Sequence, residues 1–194
     1  MSKTIITINR QYGAGGRSLA AILSERLGIP YYDQDFIQKT VEKSGYEEEA
    51  VIREGEEMSR PSRLLNNILN SAVSYSSSFD GIFEAEKKVI MEFAKEPCII
   101  VGRCANMILS EAGIDTMSVY LHAPLDKRIS HMTEKAEDGQ IPDAKVIEEH
   151  DRHRGTFYKQ YTGREIFDAS NYTFCFDTGK ISISQCADII LGAL

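Results

Sequence analysis

The sequence predicts an α/β fold in which a central parallel sheet of about five strands is covered by helices on both faces. Three observations predict it. Segments 4–9, 98–102, 117–122 and 172–177 are short, β-branched or aromatic, and nearly continuous in apolar character, as strands buried on both faces are. Segments of helical period lie between them, and that alternation marks a doubly wound sheet. The first strand also runs straight into a glycine-rich turn and a helix, Asn9-Arg10-Gln11-Tyr12-Gly13-Ala14-Gly15-Gly16-Arg17-Ser18, the local architecture of an anion-binding loop.

Each element follows from its residues. Thr4, Ile5, Ile6, Thr7 and Ile8 are β-branched throughout and form the first strand. Leu19, Ala20, Ile22, Leu23 and Leu27 give the helix 16–27 one apolar side. A short second strand fits 30–32, followed by a helix over 35–44. Residues 46–80 are polar, charged at first and then rich in Ser and Asn, while Leu64, Leu65, Ile68, Leu69, Ala72 and Val73 keep a helical spacing. They read as one or two helices and a mobile loop inserted after the second strand; a solvated insertion, a substrate-binding subdomain and a dimer contact all remain open. Helices are further expected over 82–95, 105–111, 125–135, 144–161 and 184–194.

Composition narrows the function. The 194 residues are 42% hydrophobic and 26% charged, within the globular range for one domain carrying a sizeable insertion. A net charge of −7 argues against broad electrostatic binding to nucleic acid or an anionic membrane. The apolar runs fall far short of the roughly 20 residues that cross a bilayer. Lys3 is followed at once by a strand, so no signal peptide is expected. Cys98, Cys104, Cys175 and Cys186 show no CxxC spacing and are expected as reduced thiols in the cytoplasm.

The loop departs from the usual phosphate-binding pattern, G-x-x-x-x-G-K-[ST]. In that register the first glycine is Gln11 and the lysine is Arg17. Gly13, Gly15 and Gly16 let the backbone approach a phosphate closely. Arg17 would reach the β- and γ-phosphates with a bidentate cation in place of a point charge, and Ser18 supplies the hydroxyl expected to coordinate Mg²⁺. A glycine turn that binds nothing is the plainer alternative.

Three further clusters sit where a substrate would lie. Arg103 follows a buried strand and so stands at the carboxyl edge of the sheet; it can also be a helix-start arginine paired with a surface carboxylate. The run Glu148-Glu149-His150-Asp151-Arg152-His153-Arg154, with Arg128 upstream, supplies the cations that phosphoryl transfer needs around the developing charge, although a solvated charged helix face has the same composition. His150 and His153 lack a third ligand at suitable spacing, which argues against a metal. Asp33 ends the second strand, where it can organise Mg²⁺-bound water, contact an acceptor nucleotide, or cap the helix that starts at Gln34.

Together these residues resemble the cytidylate kinase-like family, a branch of the P-loop nucleoside monophosphate kinases. The likeness rests on 8–17, on Leu27-Gly28-Ile29-Pro30-Tyr31-Tyr32-Asp33, on Ile99-Ile100-Val101-Gly102-Arg103, and on Asp151-Arg152-His153-Arg154 with Tyr158 and Tyr161-Thr162-Gly163. It implies a three-layer P-loop NTPase-type fold over 1–194, with a helical insertion at about 46–80 and a helical lid at about 125–161. It further implies ATP as donor, Mg²⁺, and a nucleoside monophosphate acceptor, CMP or dCMP first. Gly13, Ala14, Gly15, Gly16, Arg17 and Ser18 would then hold the donor phosphates. Asp33 and Arg103 would face the acceptor, and Arg128, Arg152 and Arg154 would close from the lid. Cytidylate kinases carry lysine in the loop and an aspartate after the Gly-Arg; here those places are Arg17 and Cys104. A kinase acting on a non-nucleotide metabolite, or a nucleotide-binding regulator without turnover, are the competing expectations. Oligomeric state is left open.

Overall fold

The computed structural model describes residues 4–33, 78–134 and 143–194. The helix expected over 35–44 and most of the insertion at 46–80 lie outside the described residues.

Five strands form one parallel sheet in the order β2-β3-β1-β4-β5. They are β1 (Ile5–Arg10), β2 (Tyr31–Tyr32), β3 (Cys98–Val101), β4 (Met117–His122) and β5 (Phe174–Asp177). Strand β1 is central, pairing Ile5 with Cys98 on β3 and Arg10 with Leu121 on β4. Six α-helices are described: α1 (Gly16–Leu27), α2 (Ser78–Phe93), α3 (Ala105–Glu111), α4 (Leu125–Thr133), α5 (Ala144–Thr162) and α6 (Ile183–Gly192). None of them is long and apolar enough to cross a membrane.

The period-2 alternation of strand side chains divides the core into two. Ile6, Ile8, Ile99, Val101, Val119 and Leu121 point to one face, where they meet Leu19 and Leu23 of α1 and Ala187 and Ile190 of α6. Ile5, Cys98, Ile100 and Tyr120 point to the other, against α2, α3 and α5 through Ile90, Leu109 and Tyr158. Each face is apolar because each is covered, which explains why these strands read as continuous rather than alternating runs.

A buried polar chain stiffens the second face. Asn9 Nδ2 donates to Asn106 Oδ1 at 2.9 Å, and Asn106 Nδ2 donates to the Tyr158 hydroxyl at 2.9 Å. The end of β1 is thereby tied to both α3 and α5, with its polar groups satisfied.

Two strand boundaries differ from expectation for local reasons. Strand β5 starts at Phe174, not at 172, because Asp168 accepts a hydrogen bond from the Ser170 N–H at 2.9 Å and winds Ala169–Asn171 into a 3₁₀ turn. Strand β3 stops at Val101 because Gly102 turns left-handed, at φ 85°.

Candidate functional site

The carboxyl ends of β1 and β3 separate the loop, the turn after β3 and the helix α5, and the candidate residues collect there. The loop is held by its carbonyls. Arg128 Nη1 donates to the Tyr12 carbonyl at 3.0 Å, His131 Nδ1 meets the Gly13 carbonyl at 2.8 Å, and Thr178 Oγ1 donates to the Ala14 carbonyl at 3.1 Å. In a trans peptide the C=O and the following N–H point in opposite directions. Pinning the carbonyls of 12 and 14 outward therefore turns the N–H groups of Gly13 and Gly15 to the other side. Gly15 is also the N-cap of α1 and supplies no side-chain cap, so the first turn of α1 presents its amides and the positive end of its dipole.

The glycines are sterically required. Gly13 and Gly15 have φ of 81° and 91°. A Cβ on Gly15 would stand 2.5 Å from Ile183 Cδ1, and one on Gly13 would stand 3.0 Å from Met132 Sδ. Gln11, at the place of the pattern's first glycine, is accommodated: its N–H donates to Leu121 O at 2.9 Å and its side-chain oxygen accepts from the Ala123 N–H at 3.1 Å.

The arginines divide sharply by environment. Arg17, on the first turn of α1, is 70% exposed and ion-paired with Asp33, whose side chain is 11% exposed. Two groups placed by sequence on the donor and the acceptor thus face each other. Arg103 is buried and paired with Glu86 at 2.7 Å. It lies in a strained turn, since Arg103 and Cys104 both adopt left-handed φ, 58° and 55°, at a cost of about 1–3 kcal/mol each. Arg128 is also buried, donating to Ala123 O at 3.1 Å, to Tyr12 O, and to Asp151 Oδ2 at 2.5 Å. Asp151 completes that link by accepting the Tyr12 N–H at 2.6 Å.

Helix α5 reaches the loop through the Tyr12 ring, which stacks on His150 at 4.2 Å and lies 5.1 Å from the Arg154 guanidinium. Arg152 points outward to Glu149 at 3.2 Å across one helical turn, an exposed pair of little energetic weight. Arg152 and Arg154 both line a cavity of about 410 Å³, together with Arg10, Gln11, Asp151, Lys159 and Glu165. A small recess beneath it is bounded by Asn9, Arg10, Gly102, Arg103 and Arg154. Tyr120 belongs to the wall of the main cavity; burial pushes its phenol up to about 12, with the negative charge of Asp151 adding to the shift. A larger cavity, about 770 Å³, lies at the opposite edge of the sheet beside Ile5, Met91 and Ile114, and none of the candidate residues lines it.

Such an arrangement, amides and cations converging at the carboxyl edge of a parallel sheet, is suited to holding phosphate groups. A model of the cytidylate kinase-like family matches residues 5–180.

The chain belongs to the cytidylate kinase-like family.

Along 97% of its length it is 28% identical to a cytidylate kinase from Sulfolobus acidocaldarius, of which it covers 93%. Two solved structures share the fold. A protein from Eubacterium ventriosum superposes with a TM-score of 0.70 at 22% identity, covering 98% of each chain. A shikimate kinase from Bacteroides thetaiotaomicron gives 0.56 at 15% identity, covering 98% of this chain and 97% of that one. Family and fold together support a phosphotransferase.

Several groups around the loop were not legible as site residues. His131, Thr178 and Glu86 come from helices or turns remote in sequence, with no motif to mark them. Arg10 did carry a signal: it is a charged residue ending a buried β-branched strand, and it is 8% exposed.

Proposed function

We propose that this member of the cytidylate kinase-like family transfers the γ-phosphoryl group of ATP to a nucleoside monophosphate, with CMP or dCMP the first acceptors to test. The carrying observation is the loop whose carbonyls of 12, 13 and 14 are engaged by Arg128, His131 and Thr178, beside a cavity lined by Arg10, Arg152, Arg154 and Lys159. Kinship with a cytidylate kinase supports the choice of acceptor.

In this reading the amides of 13–18 receive the donor phosphates at the α1 terminus. An oxygen of the acceptor phosphate attacks the γ-phosphorus in line. The new O–P bond forms as the bond to the β-phosphate oxygen breaks, and ADP leaves with that electron pair. Catalysis is positioning and charge neutralisation, with no covalent intermediate on the protein. Arg154 serves the acceptor side of the cleft. Arg128 works by holding Tyr12, and Arg103 is held by Glu86 in the floor.

Mg²⁺ fits the residues present. The Ser18 hydroxyl sits on the first turn of α1, and the Asp33 carboxylate is paired with Arg17 of the same turn. Among the described residues no group of three or more His, Cys, Asp or Glu could hold a metal by itself, which suits an ion bound largely through nucleotide phosphates and water. When bound, Mg²⁺ neutralises charge on the β- and γ-phosphates.

The Arg17–Asp33 pair favours a second reading, a nucleotide-binding protein without turnover, because it occupies the loop cation. Incubation with ATP, Mg²⁺ and a panel of nucleoside monophosphates separates the two. Acceptor-dependent ADP formation that stops on chelation by EDTA supports the kinase. Saturable ATP binding with no acceptor-dependent ADP, even when the panel is widened to sugars and shikimate-like acids, supports the binding protein.

A further inference from the structure

We propose that Phe167 is the residue on which the base of the acceptor nucleotide stacks, at the outer end of the cavity between helix α5 and the turn that follows it. The proposal rests on the phosphoryl-transfer reading above and gives the base of that acceptor its place.

Phe167 differs from the other phenylalanines. Phe83, Phe93, Phe157, Phe174 and Phe176 each pack against another aromatic ring. Among the described residues Phe167 meets no ring, and at 69% it is the most exposed of the large hydrophobic side chains. Single exposed apolar residues are common at protein surfaces; what marks this one is its mounting and its place.

The mounting is rigid. Ile166, just before it, is buried in the core of the second face, and the Ile166 carbonyl accepts the Tyr172 hydroxyl at 2.5 Å. Just after it, the Asp168 N–H donates to Glu165 O at 3.2 Å, and Asn171 Nδ2 donates to the same carbonyl at 2.9 Å. The backbone is therefore held on both sides of Phe167, and little of its freedom is left to lose when a ligand covers the ring.

The place is the cavity of about 410 Å³, which Phe167 lines together with Gln11 of the loop and with Gly155, Thr156 and Lys159 of α5. Charges on its wall have partners within the fold: Lys159 is ion-paired with Glu165, Asp151 with Arg128, and Arg152 with Glu149. Matched charges, a hydroxyl and an aromatic face suit an uncharged, flat group with polar edges, and a nucleobase is such a group. Gly155 keeps the space open. Glycine within a helix is less stable than alanine, and a Cβ at 155 would reach only Ile166 Cγ2, at 3.8 Å, an ordinary contact. Packing does not call for glycine there, and the missing side chain widens the cavity beside Ile166.

The cavity also lies on the acceptor's side. Helix α1, whose terminus takes the donor phosphates, packs on one face of the sheet, and α5 packs on the other. In-line transfer sets the acceptor across the γ-phosphoryl group from the leaving ADP, which directs it to the α5 face. Phe167 makes and breaks no bond; it holds the base and so sets the affinity for a nucleotide over a bare sugar phosphate.

The test compares the full-length wild type with Phe167→Ala and with Phe167→Tyr, which keeps a ring. CMP, UMP and AMP are titrated by calorimetry beside ribose 5-phosphate, which has the sugar and the phosphate but no base, and kinetics are measured with acceptor and ATP varied in turn. Phe167→Ala is expected to weaken each monophosphate that the wild type binds about tenfold and to raise its KM in parallel, with ribose 5-phosphate binding and KM for ATP within about twofold of wild type. Phe167→Tyr should recover most of the loss. An equal loss for ribose 5-phosphate, a change confined to ATP, or Phe167→Tyr no better than Phe167→Ala overturns the proposal. An active wild type matched by Phe167→Ala sinks this inference alone, whereas a wild type inactive with every monophosphate sinks the kinase reading along with it.

Discussion

The Asp151 carboxylate accepts the Tyr12 N–H at 2.6 Å across 139 positions of sequence. Its other oxygen binds Arg128, which in turn donates to the Tyr12 carbonyl. Both polar groups of one loop residue are therefore held by a single ion pair from two helices, α4 and α5, and the Tyr12 ring is stacked on His150 of α5 as well. The position of α5 and the shape of the loop are thus tied to each other.

Asp151→Asn is expected to loosen that link. The substitution removes the charge opposite a buried guanidinium and weakens hydrogen bonds worth about 1.5–3 kcal/mol when one partner is ionised. Urea unfolding should show a loss of that order, and KM for ATP should rise because the loop is no longer held in its binding shape. A variant with wild-type stability and wild-type KM would show that the link carries nothing.

Gly15→Ala tests the loop directly. Its φ of 91° costs an L-residue about 1–2 kcal/mol, and the new methyl would meet Ile183 Cδ1. We expect ATP binding, followed by calorimetry, to be lost or severely weakened. Adding Ile183→Ala should relieve the clash and leave the backbone penalty, so recovery should be partial. Complete recovery would mean that the conformation at 15 is not needed.

The pair of Arg103 and Glu86 is almost wholly buried, at 6% and 0% exposure. Truncation by Glu86→Ala leaves the guanidinium without that carboxylate, and breaking a buried pair costs about 3–5 kcal/mol. Urea denaturation should detect this. The double variant Arg103→Met, Glu86→Leu should recover much of the loss, since no charge is then stranded; failure to recover would mean that the strained turn at 103 and 104 needs the ion pair.

Alkaline pH should destabilise the protein through Tyr120. Burial pushes its phenol from 10.0 up to about 12. Between those values the unfolded chain has lost the proton and the folded chain keeps it, so unfolding is favoured as pH rises. The stabilisation is complete below pH 10 and disappears as pH passes about 12. Tyr120→Phe should flatten the fall in melting temperature above pH 10; an unchanged slope would assign that fall to other groups, such as Cys98, whose thiol burial pushes up to about 11.

The elements were legible wherever a local pattern was strong. Leu19, Ala20 and Leu23 marked α1, and the structure places that helix at Gly16–Leu27, as expected. The helix expected at 82–95 runs from Ser78 to Phe93; its first turn holds Asp80 and Gly81, residues that read as loop. The site was legible only in part. Its glycines stand out in sequence, and Gly13 and Gly15 adopt a φ that other residues take only at a cost. Which way Arg17, Arg103 and Arg128 point does not stand out, since a charged residue's direction depends on partners such as Asp33, Glu86 and Asp151.

By itself, the sequence determined the order of strands and helices, the glycine loop and the family likeness, all of which depend on near neighbours along the chain and on burial on both faces of a sheet. Only the tertiary structure decided the division of labour among the arginines. Arg128 is enclosed with a loop carbonyl and Asp151, Arg103 is neutralised in the floor, Arg17 is paired at the surface, and Arg10 with Arg154 lines the cleft. The physical reason is that a guanidinium takes whichever anion or cavity the fold sets within reach, and for all but local pairs that neighbour comes from a distant part of the chain.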